Sequence, residues 1–306
     1  MYKLPIVIGP TAVGKTEIAI EIASQLNAEI ISCDSRQIYR YMDIGTSKPT
    51  SEQQFIVRHW LVDVVEPDVS YNAWDYALEA RGKIKEIKSR GKIPIVVGGS
   101  GLYLRALVEG FFAMPKPSAE IKKRLQRESA QALYEKLKHI DEVTANKLHS
   151  NDKMRIMRAI EVYETTGTKM SELKLQKVAS DYKPLYICFT MERAKLYERI
   201  EKRVDKMIEN GFVDEVKTLI EKYSPELTAF QTIGYKELIT HLKDKKSSTD
   251  GLDRAITLIK QNTRRYAKRQ ITWFKGIEDV NWIDLSGKDY KEIISSVAKQ
   301  FTDNNG

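Results

Sequence analysis

Leu4-Pro5-Ile6-Val7-Ile8 runs directly into Gly9-Pro10-Thr11-Ala12-Val13-Gly14-Lys15-Thr16, and the reading of that stretch decides the fold. The apolar run has the length and composition of a buried strand. The turn after it matches G-x-x-x-x-G-K-[ST], the P-loop pattern, and Ile18, Ile22 and Leu26 with Ala19 and Ala23 then recur at helical spacing. Strand, glycine-rich turn and helix are the context this pattern requires. Such a turn points backbone N–H groups at an anion, and the helix N-terminus adds partial positive charge. Gly9, Pro10, Thr11, Ala12, Val13, Gly14, Lys15 and Thr16 are therefore the expected phosphate-binding residues. Lys15 is expected to neutralise the terminal phosphate, and the Thr16 hydroxyl to ligate Mg²⁺. The pattern serves nucleotide- and ATP-binding proteins alike and is silent on which di- or triphosphate it holds.

Outward from this loop, strand and helix signals alternate, which builds an α/β fold with a parallel sheet flanked by helices on both faces. Glu29 to Cys33 reads as the second strand. Tyr71 to Arg90 reads as a helix with Ala73, Ala77, Ala80, Ile84 and Ile87 inward, followed by a strand over Ile93 to Val97. Beyond Pro115 the pattern turns charged and helix-periodic until a strand over Leu185 to Thr190. The expected organisation is a catalytic core, residues 1–115 and 183–306, carrying an α-helical insertion domain at 116–182. One long helix is expected from Arg193 to Tyr223, a basic helix from Gly251 to about Trp273, and a last strand over Asn281 to Leu285.

The chain has 306 residues, 42% of them hydrophobic, enough for a large core. Nowhere do eighteen apolar residues run together, and no secretory signal precedes the first strand, so a cytoplasmic protein without a membrane anchor is expected. Cys33 and Cys188 are the two cysteines, with no spacing for a disulfide framework or a zinc site, and both are read as buried thiols. The net charge of +8 is regional. Lys116 to Lys177 holds fourteen basic and nine acidic residues, and Arg254 to Lys275 seven basic and no acidic ones, a distribution that fits a nucleic-acid footprint.

The chemistry is narrowed by what stands at the strand ends. A motor or switch NTPase carries an Asp after a later strand to hold Mg²⁺ and position water, but Ile93 to Val97 ends in Gly98-Gly99-Ser100-Gly101. Hydrolysis of ATP is thus a poor fit. Asp34 instead follows the second strand, on the rim shared by the strand C-termini, where an acceptor would meet a bound phosphate. From spacing alone it reads either as a general base or as a cap on the next turn. Arg199 and Arg203, four apart on a helix, read either as a lid clamping phosphate oxygens or as a solvated face. Lys260, Arg264 and Lys268, with Arg265 and Arg269 beside them, give a helix face able to track a phosphate backbone. Tyr266, Trp273 and Phe274 read as base-stacking or core residues, Trp273 as core, and His59 as structural.

Gly9 to Thr16, Asp34 to Tyr39, Met42 to Pro49, His59 to Asp63, Gly98 to Leu107, Gln231 to Glu237 and Tyr266 to Phe274 occur in an order that resembles the bacterial tRNA dimethylallyltransferases. The resemblance spans nearly the whole chain. It implies a nucleotide-kinase-like core that takes dimethylallyl pyrophosphate in place of ATP, with the exocyclic amine of the adenine 3′ of the tRNA anticodon as acceptor; separately, a monomer is expected. It further implies that Asp34, Thr11 and Arg203 are catalytic, Asp34 as the base, and that Thr11, Lys15, Thr16 and Arg203 hold the pyrophosphate. Asp34, Ser35, Arg36, Gln37, Ser100, Met154, Arg155, Ile156, Met157 and Arg158 match segments that touch tRNA in that family. The rival readings are transfer to a free adenine nucleotide, a small-molecule or nucleoside kinase, and an RNA-binding protein with a vestigial nucleotide site.

Overall fold

The structure, a computed structural model, describes residues 2–110, 118–176, 180–244 and 249–303. Its strands are β1 Tyr2–Ile8, β2 Ala28–Cys33, β3 His59–Trp60, β4 Ile93–Gly98, β5 Tyr182–Thr190 and β6 Val280–Asp284. They form one sheet in the order β3-β2-β4-β1-β5-β6, with every pairing parallel. The helices between them are α1 Lys15–Gln25, α2 Ser51–Ile56, α3 Ala73–Ser89, α4 Gly101–Glu109, α5 Ala119–Gln126, α6 Ala130–Ile140, α7 Glu142–Ala145, α8 Lys153–Thr166, α9 Met170–Leu175, α10 Arg193–Glu209, α11 Phe212–Lys222, α12 Tyr235–Lys243, α13 Thr249–Phe274 and α14 Tyr290–Asp303.

The chain divides into two compact units, Met1–Val108 with Asp181–Gly306, and Glu109–Ser180. Pro115, Lys116 and Lys177, which bounded the expected insertion and its basic segment, lie outside the described residues. Tyr182, read from sequence as the last residue of the insertion, is the first residue of β5 and pairs with Tyr2.

In the larger unit β2 is buried along its whole length, as a strand covered by helices on both faces must be. Val7, Ile18, Ile22, Ile30, Ile187 and Phe189 knit α1 to the sheet, and Ile294, Val297 and Phe301 bring α14 onto the same core. On β2 itself the Glu29 carboxylate, 2% exposed, accepts from both Arg90 guanidinium nitrogens at 2.7 and 2.8 Å and from Trp60 Nε1 at 2.8 Å, and pairs with Lys92. Arg58 and Lys83 lie over the Trp60 ring, 3.8 and 4.1 Å from its centroid.

The smaller unit has its own core of Leu125, Leu133, Leu137, Ile156, Ile160 and Val162. Its helices are punctuated as the sequence dictates. Ser118, Ser129, Asp141 and Asp152 accept backbone N–H groups at helix starts, and Gly167, at φ 71°, ends α8.

Three expectations change. The helix read from Arg193 to Tyr223 is two helices, broken where Asn210 caps α10 and Gly211 turns at φ 94°. β3 was not foreseen. Trp273, read as core, is 36% exposed, while Phe274 beside it is buried; the α13 stripe facing inward runs through Ala255, Ile259, Ala267 and Phe274.

Candidate active site

The sheet register builds the site. Ile8 of β1 and Cys33 of β2 both pair with Gly98 of β4, so the three strands end level. The loops that follow them, Gly9 to Gly14, Asp34 to Gln37 and Gly99 to Ser100, therefore stand side by side on one rim, with the β4 loop in the middle. Two strand spacings separate the outer loops, roughly 10 Å. All three line a single cleft of about 880 Å³ that Lys15, Thr16, Asp34, Arg199, Arg203 and Tyr266 also face.

The phosphate loop has the backbone such a turn needs. Ala12 sits at φ 67° and Gly14 at φ 102°, and Gly14 opens α1. A Cβ at Gly14 would also meet the Arg199 guanidinium at 3.2 Å. Lys15 folds back over the loop, its Nζ donating to the Gly9 and Pro10 carbonyls at 2.9 and 2.8 Å. Burial lowers its pKa to about 8, against the pull of Asp34, which favours the charged form. Arg203 donates from Nη2 to Thr11 Oγ1 at 2.8 Å, and among the described residues its buried Nε has no partner. Burial disfavours the Arg203 charge, and Asp34 and Glu17 support it. Arg199 donates to Tyr290 Oη at 3.3 Å, whereas Lys202, also at the cleft, pairs with Glu198. The structure thus places Arg203 at one end of the loop, on Thr11, and Arg199 at the other, by Gly14.

Asp34 caps the turn that follows it, as one of its two sequence readings has it. One carboxylate oxygen accepts the Arg36 and Gln37 N–H groups at 2.8 and 3.4 Å, closing the turn. Among the described residues the other oxygen takes no hydrogen bond. Ser35 N–H donates to Ser100 Oγ at 2.9 Å, which ties the Asp34 turn to the β4 loop. Gln37 spends its side chain inside the protein, accepting from Ser32 and donating to the Thr46 and Ser47 carbonyls. Arg36 reaches the Thr228 carbonyl at 3.5 Å. Tyr266 is partly buried, and burial together with Asp34 holds its phenol protonated.

The segment from Asp43 to Pro49 also lines the cleft. Glu215 accepts the Asp43, Ile44 and Gly45 N–H groups at 3.0, 2.6 and 3.2 Å and the Tyr235 hydroxyl at 2.5 Å. Lys48, its side chain 5% exposed, bridges Asp43, Asp63 and the Tyr39 carbonyl. Glu215 did not stand out in the sequence, and Lys48 did so only as part of the Met42–Pro49 motif, because their partners are distant in the chain.

The basic helix is divided in use. Lys260 pairs with Asp205 at 2.6 Å and Arg264 with Glu201, so two members of the stripe expected from spacing carry carboxylate partners from α10. Arg265, Lys268 and Arg269 are exposed, as are Arg254 and Lys275 toward the two ends of that stretch. In the smaller unit Met154 is 67% exposed and Arg155 is exposed, Ile156 and Met157 are buried, and Arg158 pairs with Glu161. His59 hydrogen-bonds the Val57 carbonyl through Nδ1, and both thiols are buried, their pKa values pushed up to about 12 by burial.

Residues 37–277 match the model of the IPP transferase family. The chain belongs to the IPP transferase family. Its relatives in the family include the tRNA dimethylallyltransferases of Halothermothrix orenii, 47% identical over 97% of this chain and 92% of that one, and of Thermotoga petrophila, 46% identical over 99% of each. The crystal structure of the full-length tRNA isopentenylpyrophosphate transferase of Bacillus halodurans is similar, with a TM-score of 0.73 at 38% identity, covering 99% of this chain and 97% of that one. A eukaryotic dimethylallyltransferase captured acting on tRNA superposes with a TM-score of 0.84 at 29% identity, over 100% of this chain and 81% of that one. The phosphate loop and Asp34 lie ahead of the family-model match; the full-length relatives extend across them.

Proposed function

We propose that this chain transfers a dimethylallyl group from dimethylallyl pyrophosphate to the exocyclic amine of the adenine 3′ of the tRNA anticodon. The observation that carries the proposal is the pairing of two loops across one cleft: a phosphate cradle with Lys15, Thr11 and Arg203, and roughly two strand spacings away a carboxylate with one oxygen uncommitted. An allylic diphosphate in the cradle turns its C1 toward Asp34. The C1–O bond breaks, the N6–C1 bond forms, pyrophosphate leaves and the N6 proton passes to Asp34.

Negative charge grows on the leaving oxygens as that bond breaks. Preorganised N–H groups, Lys15 and Arg203 stabilise it most in the transition state. Lys15, now resting on two carbonyls, exchanges them for phosphate oxygens. No group of three or more His, Cys, Asp or Glu able to cage a metal exists among the described residues. Thr16, whose hydroxyl stands at the start of α1, would be the protein ligand of a Mg²⁺ ion that arrives with the diphosphate. When bound, the ion supplies further neutralisation of the leaving group.

A flipped adenine loses stacking, a cost of a few kcal/mol that is smaller in a loop than in a duplex. The exposed Arg265, Lys268 and Arg269 and the Met154–Arg155 corner offer phosphate and base contacts that offset it. The enzyme is read as a cytoplasmic monomer. No helix among the described residues is long and apolar enough to cross a membrane.

Incubation with dimethylallyl pyrophosphate, Mg²⁺ and unmodified tRNA is expected to add five carbons to one anticodon-loop adenosine, read by mass spectrometry of the digested RNA. Transfer to free AMP in place of tRNA, or turnover of ATP alone, overturns the proposal.

A further inference from the structure

Gln270 lies on α13, far in sequence from the phosphate loop, and its side chain is 5% exposed at the centre of the rim. Its Oε1 accepts the Thr11 N–H at 2.8 Å, and its Nε2 donates to the Gly99 carbonyl at 3.0 Å. The amide orientation is forced, because an N–H can only donate and a carbonyl can only accept. Gly99 is required by this approach, since a Cβ there would fall on the Gln270 amide. Each bond reaches one half of the chemistry. Thr11 is the residue whose hydroxyl receives Arg203, and Gly99 adjoins Ser100, which holds Ser35 beside Asp34.

We propose that Gln270 is a positioning residue that sets the distance between the phosphate loop and the Asp34 turn. The inference rests on the transfer reaction proposed above and adds to it the strut that holds donor and base in register. A shift of about 1 Å between reacting groups costs on the order of a hundredfold in rate, so a side chain that bridges the two loops controls the chemical step more than it controls substrate binding. One helical turn before it Tyr266 borders Asp34, and one turn after it Trp273 packs on Gly101. The inner face of α13 thus spans the whole rim.

The test compares the wild type with Gln270→Met, which keeps the volume and loses both bonds, and Gln270→Glu. A protonated Glu repeats both bonds, its carbonyl accepting from Thr11 and its O–H donating to Gly99; an ionised one repels the Gly99 carbonyl. Single-turnover transfer at saturating dimethylallyl pyrophosphate and tRNA is expected to fall roughly 30- to 100-fold in Gln270→Met, with tRNA affinity within about twofold of wild type. The rate of Gln270→Glu relative to wild type is expected to climb as pH falls from about 8.5 to 5.5, because a buried carboxyl titrates above its usual range. The same ratio for Gln270→Met stays flat. A wild-type rate in Gln270→Met, or a flat ratio for Gln270→Glu, overturns the proposal; where Gln270→Met does not fold by circular dichroism, the Glu ratio decides alone. If the wild type transfers nothing, the activity reading fails separately. Calorimetric binding of inorganic pyrophosphate then tests the strut, with at least a fivefold weaker affinity expected in Gln270→Met and an equal affinity overturning it.

Discussion

Asp34→Asn separates the base from the turn it closes. The Asn carbonyl oxygen can still accept the Arg36 and Gln37 N–H groups, so the loop keeps its shape while the proton acceptor disappears. General base catalysis is worth roughly 10²- to 10⁴-fold, so single-turnover transfer should fall at least about a hundredfold, or ~2.7 kcal/mol in activation free energy. A second effect follows from Lys15. Burial brings that ammonium to about 8, and Asp34 is the strongest influence keeping it charged. In the wild type, pyrophosphate affinity should therefore hold below pH 8 and weaken as pH rises through it. Removing the Asp34 charge lowers the Lys15 pKa further, and the variant should lose affinity at a lower pH. Rapid-quench transfer at saturating substrates and pyrophosphate titrations from pH 6.5 to 9 measure the two effects. A transfer rate within threefold of wild type would remove Asp34 as the base, and an unmoved affinity profile would sever its coupling to Lys15.

Reversing Arg265, Lys268 and Arg269 to Glu should weaken tRNA binding and reduce the slope of log affinity against log salt by about 2 to 3, whereas Lys260→Ala, which breaks only the pair with Asp205, should leave that slope nearly unchanged; filter binding at several salt concentrations checks both. Glu29→Gln should cost about 3 kcal/mol in urea unfolding at pH 7, since it strips a buried partner from Arg90 and Lys92. Burial alone would raise the Glu29 carboxyl, but bonds from Arg90, Trp60 and Lys92 bring it to about 2, below its unfolded value near 4.5. Its contribution is thus complete above pH 4.5 and lost as pH falls toward 2, so the gap between wild type and variant should close on acidification. Glu215→Ala leaves the Asp43, Ile44 and Gly45 N–H groups and the Tyr235 hydroxyl without their acceptor and should cost about 3 kcal/mol by the same measurement; a loss under 0.5 kcal/mol would show that water replaces the carboxylate.

The phosphate loop was legible because its requirements are local: a strand, a glycine at φ 102°, a lysine and a hydroxyl at set spacing. Asp34 was legible because strand ends share a rim, a rule that needs no contact map. What escaped depends on partners distant in sequence. The spacing of Lys260, Arg264 and Lys268 marks a helix stripe correctly, but no spacing reveals that Asp205 and Glu201 of α10 neutralise its first two members. Gln270 reads as one polar residue among aromatics until Thr11 and Gly99 are seen against it. β3 has two residues, fewer than an alternation pattern can register. The break between α10 and α11 did carry a signal, the Asn210-Gly211 pair, which the continuous amphipathic pattern on either side obscured.

β3 also has a bearing on how crowded molecules behave. At that margin of the sheet a neighbouring copy finds only His59 and Trp60 to pair with, beneath the Arg58 and Lys83 cations. Unwanted intermolecular ladders need a longer, flatter template than that. β6 at the opposite margin offers five residues, several of them exposed, so aggregation of concentrated or partly unfolded enzyme should start there, and a lysine at Asn281 is the substitution that would discourage it.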